Sequence, residues 1–237
     1  MMQNQPKTRL QLIDQFRGIA VLLMAVFHFC YDLSVFDFIT FKLNGGFFSW
    51  YRFVIVTLFF IAIGAGLYSA HTPVIQWRKF AIRLGKIAAG ALFITLSTYF
   101  MYPKTWVWFG VLHFIFVASV LSLPLLRLPV IAAIIGVSIF VLFNLTDWFN
   151  LHFLYLKYRT VLHLPRGTVD LTRLIPWLGM VYIGIYVGYK KCWGIKALPL
   201  SVFNPMINWL SRHAFVFYLV HQPPLFALAW LLNKVFH

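Results

Sequence analysis

The sequence predicts an all-α fold, a polytopic helical bundle that lives in a membrane. Three observations predict it. Of the 237 residues, 62% are hydrophobic and only 11% are charged, whereas soluble domains average about 45–50% apolar and about 25% charged. The apolar residues fall in runs close to the ~20 residues that a helix needs to cross a bilayer. The charged residues gather in the short segments between those runs. No polar linker, low-complexity tract or internal repeat divides the chain, so residues 1–237 read as one domain.

Seven runs qualify as spans, at about 17–36, 51–70, 83–101, 107–126, 129–147, 173–190 and 211–233. Two further stretches are intermediate. NLHFLYLKYRTVLHLPR at 149–165 is aromatic and basic, too polar to span and suited to the interface. SVFNPMINWL at 201–210 is apolar but short and holds Pro205, so an interfacial or re-entrant piece is expected, with an eighth short crossing left open. The first run follows a polar start without a small-residue cleavage site, so no signal peptide is expected. Cys30 and Cys192 are read as free thiols, because two cysteines in such positions make no disulfide framework.

The net charge is +15, with five aspartates and no glutamate. In a soluble protein that balance would suggest nucleic acid. Here the bases sit in loops, where they set topology and meet anionic lipid. With the N-terminus in the cytoplasm, Lys7, Arg9, Arg17, Arg78, Lys79, Arg83, Lys86, Arg127, Lys190, Lys191 and Lys196 face inward. Lys42, Arg52, Lys104, Lys157, Arg159, Arg166, Arg173 and Lys234 face the other side. The excess favours a cytoplasmic N-terminus. Tryptophans near the run ends, Trp50, Trp77, Trp106, Trp108, Trp177 and Trp209, form an aromatic belt.

The first run, RGIAVLLMAVFHFCYD, carries an arginine, a histidine and an aspartate in apolar surroundings. At about 100° per residue, Arg17 and His28 share one helix face about 16 Å apart along the axis. Asp32 is one turn beyond His28 on that face, and Asp14 is one turn before Arg17 and able to pair with it. Gly18, Ala20 and Ala25 are small enough to let a second helix approach. Ionisable groups within a span usually face the bundle interior and mark a functional path. A histidine there suits general acid–base work, and a carboxylate one turn away can hold its tautomer. An interhelical hydrogen bond is the structural alternative for His28, a snorkelling anchor for Arg17 and a solvated end position for Asp32.

Two more histidines lie within runs, His113 in WFGVLHFIF and His221 in YLVHQPPL, the latter followed by Gln222, Pro223 and Pro224. Both are candidates to line a site, because proline frees carbonyls that spans tolerate only beside partners or a cavity. His71, His152, His163, His213 and His237 fall near loops or ends. No HxxxH or HExxH spacing occurs and carboxylates are few, so no metal is expected. Nor is there a GxSxG, P-loop or GxGxxG pattern, and the Gly64-Ala65-Gly66 step reads as close helix packing.

The blocks RLQLIDQFRGIAVLLMAVFHFCYDL, FFIAIGAGL, WFGVLHFI, IPWLGMVYIGIYVG and LSRHAFVFYLVHQPPL occur in that order. Together they resemble the bacterial relatives of heparan-alpha-glucosaminide N-acetyltransferase, a transmembrane acyltransferase family. The first block is also similar to membrane acyltransferases that modify bacterial surface polysaccharides, which carry an arginine, ten residues, then a histidine in their first span, with the arginine and the histidine both needed for transfer. Arg17 and His28 match that spacing. The resemblance implies acetyl-CoA as acyl donor and a sugar or glycolipid-like amine or hydroxyl as acceptor. It also implies a multi-pass protein of the bacterial inner membrane. His28, Asp32 and Arg17 would then be catalytic, with His113, His221, Gln222, Arg212 and Asp14 lining the substrate cavity. Arg78, Lys79, Arg83 and Lys86 would meet the CoA phosphates. The loop that carries the catalytic histidine of the lysosomal enzyme reads FDFITFKLNGG here and has none, so heparan chemistry is not implied. A proton-coupled transporter and a non-catalytic membrane partner stand as alternatives, and a homo-oligomer stays open.

Overall fold

A computed structural model describes residues 11–40, 46–149, 152–165, 167–168, 170–190 and 203–236. Expectations that concern Lys7, Arg9, Lys42, Arg166, Lys191, Cys192, Lys196 and His237 lie outside those residues. Among the described residues there are nine α-helices and no strand. They are α1 Gln11–Val35, α2 Gly46–His71, α3 Trp77–Met101, α4 Val111–Ser122, α5 Pro129–Leu145, α6 His152–Arg159, α7 Leu174–Tyr189, α8 Asn204–Val220 and α9 Gln222–Phe236. The protein is a helical membrane bundle.

Three helices, α1 to α3, are long and apolar enough to cross a membrane, and α8 with α9 makes a fourth if the bent pair is one span. Three of the seven expected spans are therefore shorter than their hydrophobic runs. The run at 107–126 yields only Val111–Ser122 as α-helix. Gly110, in an extended conformation, starts it, and a 3₁₀ turn at Pro124–Arg127 follows it. Pro129 then opens α5 at its first turn. Proline suits a first turn and disfavours helical backbone in the residue before it. The same restriction appears in α7, where Ile175, just before Pro176, has φ −104° and ψ 132°. Position 205 corrects another expectation. Pro205 does not break a separate short element but opens α8, where its missing N–H costs nothing.

The chain divides into two compact units, residues 1–62 with 192–237, and residues 63–191. Helix α2 runs through the boundary without interruption. In the first unit α1 packs along α8 and against α9. Leu12, Ile13, Ala20, Val21 and Phe27 of α1 are buried there, with Ile207 and Leu210 of α8. Gly18 allows the closest approach, since a Cβ at that position would press on the Ile207 backbone. In the second unit α5 and α7 pack through Gly136 and Gly179, each of which faces the other's carbonyl oxygen. Gly64 lies against the Val181 backbone and Gly188 against Ala65, so the Gly64-Ala65-Gly66 step is a helix-packing device.

Candidate functional site

The polar stripe expected on α1 meets α8 and α9 within the first unit. At its N-terminal end, Gln15 donates to Asn204 Oδ1 at 2.7 Å, and Ser211 Oγ donates to Asp14 Oδ1 at 3.1 Å. Arg17 is half-buried, its Nη1 3.7 Å from Asp14 Oδ1. A buried carboxylate costs free energy unless it is paired and hydrogen-bonded, and Asp14 has both kinds of neighbour. Arg212, next to Ser211, is exposed.

The other end of the stripe meets the corner between α8 and α9. The two helices differ in direction by 68° across His221. The cause is in the sequence. Pro223 and Pro224 have no N–H, so the carbonyls of Leu219 and Val220 have no donor four residues on. His221 caps α8 through its own N–H to Phe217 O. Its ring turns back onto the helix end, with Nδ1 2.9 Å from Tyr218 O and 3.2 Å from Phe217 O. The ring also stacks on Phe217, at 5.8 Å between centroids and 12° between planes.

His28 of α1 faces this ring, at 5.0 Å between centroids and 61° between planes. Phe27 lies edge-on to His28 and also touches Tyr51 of α2. Asp32, only 1% exposed, accepts a 2.8 Å hydrogen bond from Gln222 Nε2 at Oδ1. Its position on the histidine face of α1 is the one expected, but its hydrogen-bond partner is Gln222 rather than His28. An aspartate side chain is short, whereas a glutamine arriving from α9 reaches across. Three buried atoms here take no hydrogen bond within the protein: Asp32 Oδ2, His221 Nε2 and Gln222 Oε1. Buried polar groups are nearly always satisfied, so this corner is unusual chemistry in an apolar setting.

The remaining site expectations fall in the second unit. His113 is the third residue of α4. Its Nδ1 accepts from the Gly110 N–H at 3.2 Å, and its Nε2 is 3.1 Å from Thr95 Oγ1, which donates to Val107 O at 2.8 Å. Both ring nitrogens are engaged in holding the start of α4. Asp170 helps, accepting from the Val111 N–H at 3.2 Å. Arg78, Lys79, Arg83 and Lys86 occupy the first turns of α3, and all but the half-buried Arg83 are exposed. Among the described residues no three histidine, cysteine or aspartate side chains gather as a metal site would require.

Two open cavities have other linings. One of about 360 Å³ lies beyond the end of α1, beside Ser34, Asp37, Phe38, Ile39 and Thr40. The other, about 440 Å³, is bounded in the second unit by Ile75, Trp77, Leu123, Pro124 and Arg127. Neither is lined by His28, Asp32 or His221. The chemistry-bearing side chains instead pack directly on one another. Sequence reasoning missed three contributors, Asn204, Ser211 and Gln15. Their signal is faint: polar residues inside apolar helical runs, on the faces that α1 and α8 turn to each other.

A search of curated proteins and a search of solved structures each found no match. A family model described as "Heparan-alpha-glucosaminide N-acetyltransferase, catalytic" matches residues 9–223, which include both α1 with its polar stripe and the His221–Gln222 corner. With nearly its whole length matched, helices fit for a membrane and polar chemistry on α1, α8 and α9, the chain belongs to the heparan-alpha-glucosaminide N-acetyltransferase family of membrane acetyltransferases.

Proposed function

We propose that the protein moves an acetyl group from acetyl-CoA to an amine or hydroxyl of a sugar-like or glycolipid-like acceptor. One observation carries this reading: His28 and His221 face each other beside the Asp32–Gln222 pair, among largely apolar helical turns. His28 acts as the base. It takes the proton of the acceptor's N–H or O–H while that atom attacks the thioester carbonyl carbon. The new C–N or C–O bond forms, the C–S bond breaks, and the thiolate of CoA takes the proton from the His28 imidazolium. Asp32 acts on the centre through Gln222.

Arg17 and the exposed Arg212 offer cations for anionic parts of donor or acceptor, with Asp14 holding Arg17 in place. Arg78, Lys79, Arg83 and Lys86 offer a run of cations for the CoA phosphates. His113 supports the wall of its unit. The charge excess supports a cytoplasmic N-terminus, and on this reading the protein sits in a bacterial inner membrane. The test is purified protein with acetyl-CoA and a panel of amino sugars and lipid-linked sugars, followed by thiol release and product mass. His28→Ala is expected to lose about 10²–10⁴-fold in kcat, the usual share of a general base. Full activity in that variant removes His28 from the mechanism.

A proton-coupled transporter is the second reading. The bend between α8 and α9 favours it, because transporters often bind substrate at broken spans. Uptake into proteoliposomes that does not depend on CoA would decide for it.

A further inference from the structure

His221 stands on the corner that the two prolines create, and its protonation pattern follows from its neighbours. Both groups near Nδ1 are carbonyl oxygens, of Tyr218 and Phe217. A carbonyl oxygen only accepts, so Nδ1 carries the hydrogen. In the neutral ring Nε2 therefore holds a lone pair. That atom is buried and takes no hydrogen bond within the protein, in a side chain only 7% exposed. An acceptor of this kind calls for a donor. His28 is the ring beside it, 5.0 Å away between centroids, a spacing at which nitrogens that turn toward each other come within hydrogen-bond reach.

We propose that His221 is the positioning residue for His28. A turn of the two rings toward each other, which the 5.0 Å spacing allows, lets its Nε2 accept a hydrogen bond from one ring N–H of His28 and leaves the second nitrogen of His28 unprotonated and aimed at the acceptor. The inference rests on the acetyl-transfer reading and deepens it, because it names the group that holds the base. The helical spacing of α1 would assign that task to Asp32, but the Asp32 carboxylate is committed to Gln222, the residue after His221. Asp32 therefore fixes the corner, and the corner presents the ring. Bonds and protons balance: the acceptor's proton goes to His28 and then to the CoA thiolate. His221 keeps its Nδ1 proton throughout and shares the charge of the His28 imidazolium through Nε2.

Two substitutions separate positioning from packing. In His221→Asn the amide nitrogen can still donate to the Tyr218 carbonyl, but nothing occupies the place of Nε2. In His221→Gln the amide oxygen stands near the place of Nε2 and still accepts from His28. Purified variants are compared for acetyl transfer from acetyl-CoA. His221→Asn is expected to lose at least about tenfold in kcat with little change in the KM for acetyl-CoA, a part of the ~10²–10⁴-fold assigned to the base. His221→Gln is expected to regain most of that loss. Equal losses in both variants, or no loss in His221→Asn, overturn the proposal.

A second readout needs no substrate. In ¹⁵N-histidine-labelled protein, assigned with His28→Ala, the His28 ring is expected to show one tautomer. In His221→Asn it is expected to become a mixture. A His28 spectrum unchanged by His221→Asn also overturns the proposal. If the wild type transfers no acetyl group while the tautomer shift is seen, the transfer reading fails and the histidine pair stands.

Discussion

Replacing Gly18 by alanine tests the seam that brings α1 onto α8. A Cβ at position 18 would lie 2.7 Å from Ile207 Cγ2 and 2.9 Å from the Ile207 carbonyl carbon. The Ile207 carbonyl oxygen lies nearer still, and ordinary contact begins near 3.4 Å, so the helices must part by roughly 1 Å before the clash is relieved. Because one colliding group is backbone, no rotamer change removes it. The same separation would carry the 3.1 Å Ser211–Asp14 contact beyond hydrogen-bond range. Overpacking of this kind costs about 1–3 kcal/mol, and a lost hydrogen bond about 1 kcal/mol more. Against that stands a gain of about 1 kcal/mol, because alanine favours helix over glycine. The net expectation is a loss of about 2 kcal/mol, up to ~30-fold in the folding equilibrium. Equilibrium unfolding in mixed micelles reads it. Gly85→Ala in α3 is the matched control, since nothing lies within 4 Å of its Cβ, and it should gain about 1 kcal/mol. If Gly18→Ala proves as stable as wild type, the close approach of α1 and α8 is wrong.

Gln222→Ala removes the donor to Asp32 Oδ1 and should cost about 1–3 kcal/mol. A double-mutant cycle with Asp32→Asn in the same unfolding assay should reveal coupling. Gly136→Ala and Gly179→Ala should each destabilise by about 1–3 kcal/mol, since their added Cβ atoms fall 2.6 Å and 2.7 Å from the facing carbonyl oxygens. The pair together should cost less than the sum, because one helix separation relieves both. His113→Ala frees the Gly110 N–H and removes one of the two partners of Thr95 Oγ1. It should cost about 0.5–2 kcal/mol, as loss of a helix cap does, with faster amide exchange confined to the start of α4. Pro223→Ala with Pro224→Ala restores two N–H donors and should reduce the 68° bend, read as a change in distance between spin labels at the far ends of α8 and α9.

What the sequence makes legible here is local. Helical class follows from apolar runs, and the common face of Arg17, His28 and Asp32 follows from 100° per residue. The lengths of the shorter helices do not, because hydropathy is blind to punctuation. The run at 107–126 reads as one hydrophobic stretch, yet Gly110 and Pro124 cut it to twelve helical residues. The Gly110–His113 spacing does carry a helix-start signal, since a side chain at the third helical position can reach back to the cap, but the expected span from 107 passes over it. The partner of Asp32 was not, because Gln222 lies 190 residues away in sequence. Division into two units was illegible too. The boundary at residue 62 falls inside α2, and no change in composition marks it.

The corner at 217–224 shows why shape and chemistry cannot be separated in this protein. In an unbroken helix the Tyr218 carbonyl would take the N–H of residue 222. Here it takes the His221 ring instead, and that bond decides which nitrogen of the ring is left as acceptor. Two prolines without N–H groups divert the backbone, and the diverted backbone sets a tautomer. The turn they produce also makes Gln222 the first residue of α9, from which its amide reaches Asp32 on α1. The bend thus holds both the ring that faces His28 and the amide that holds Asp32. A chain straightened at this point would keep all four polar side chains and lose their arrangement. Loss of activity in the double proline variant should therefore exceed its loss of stability.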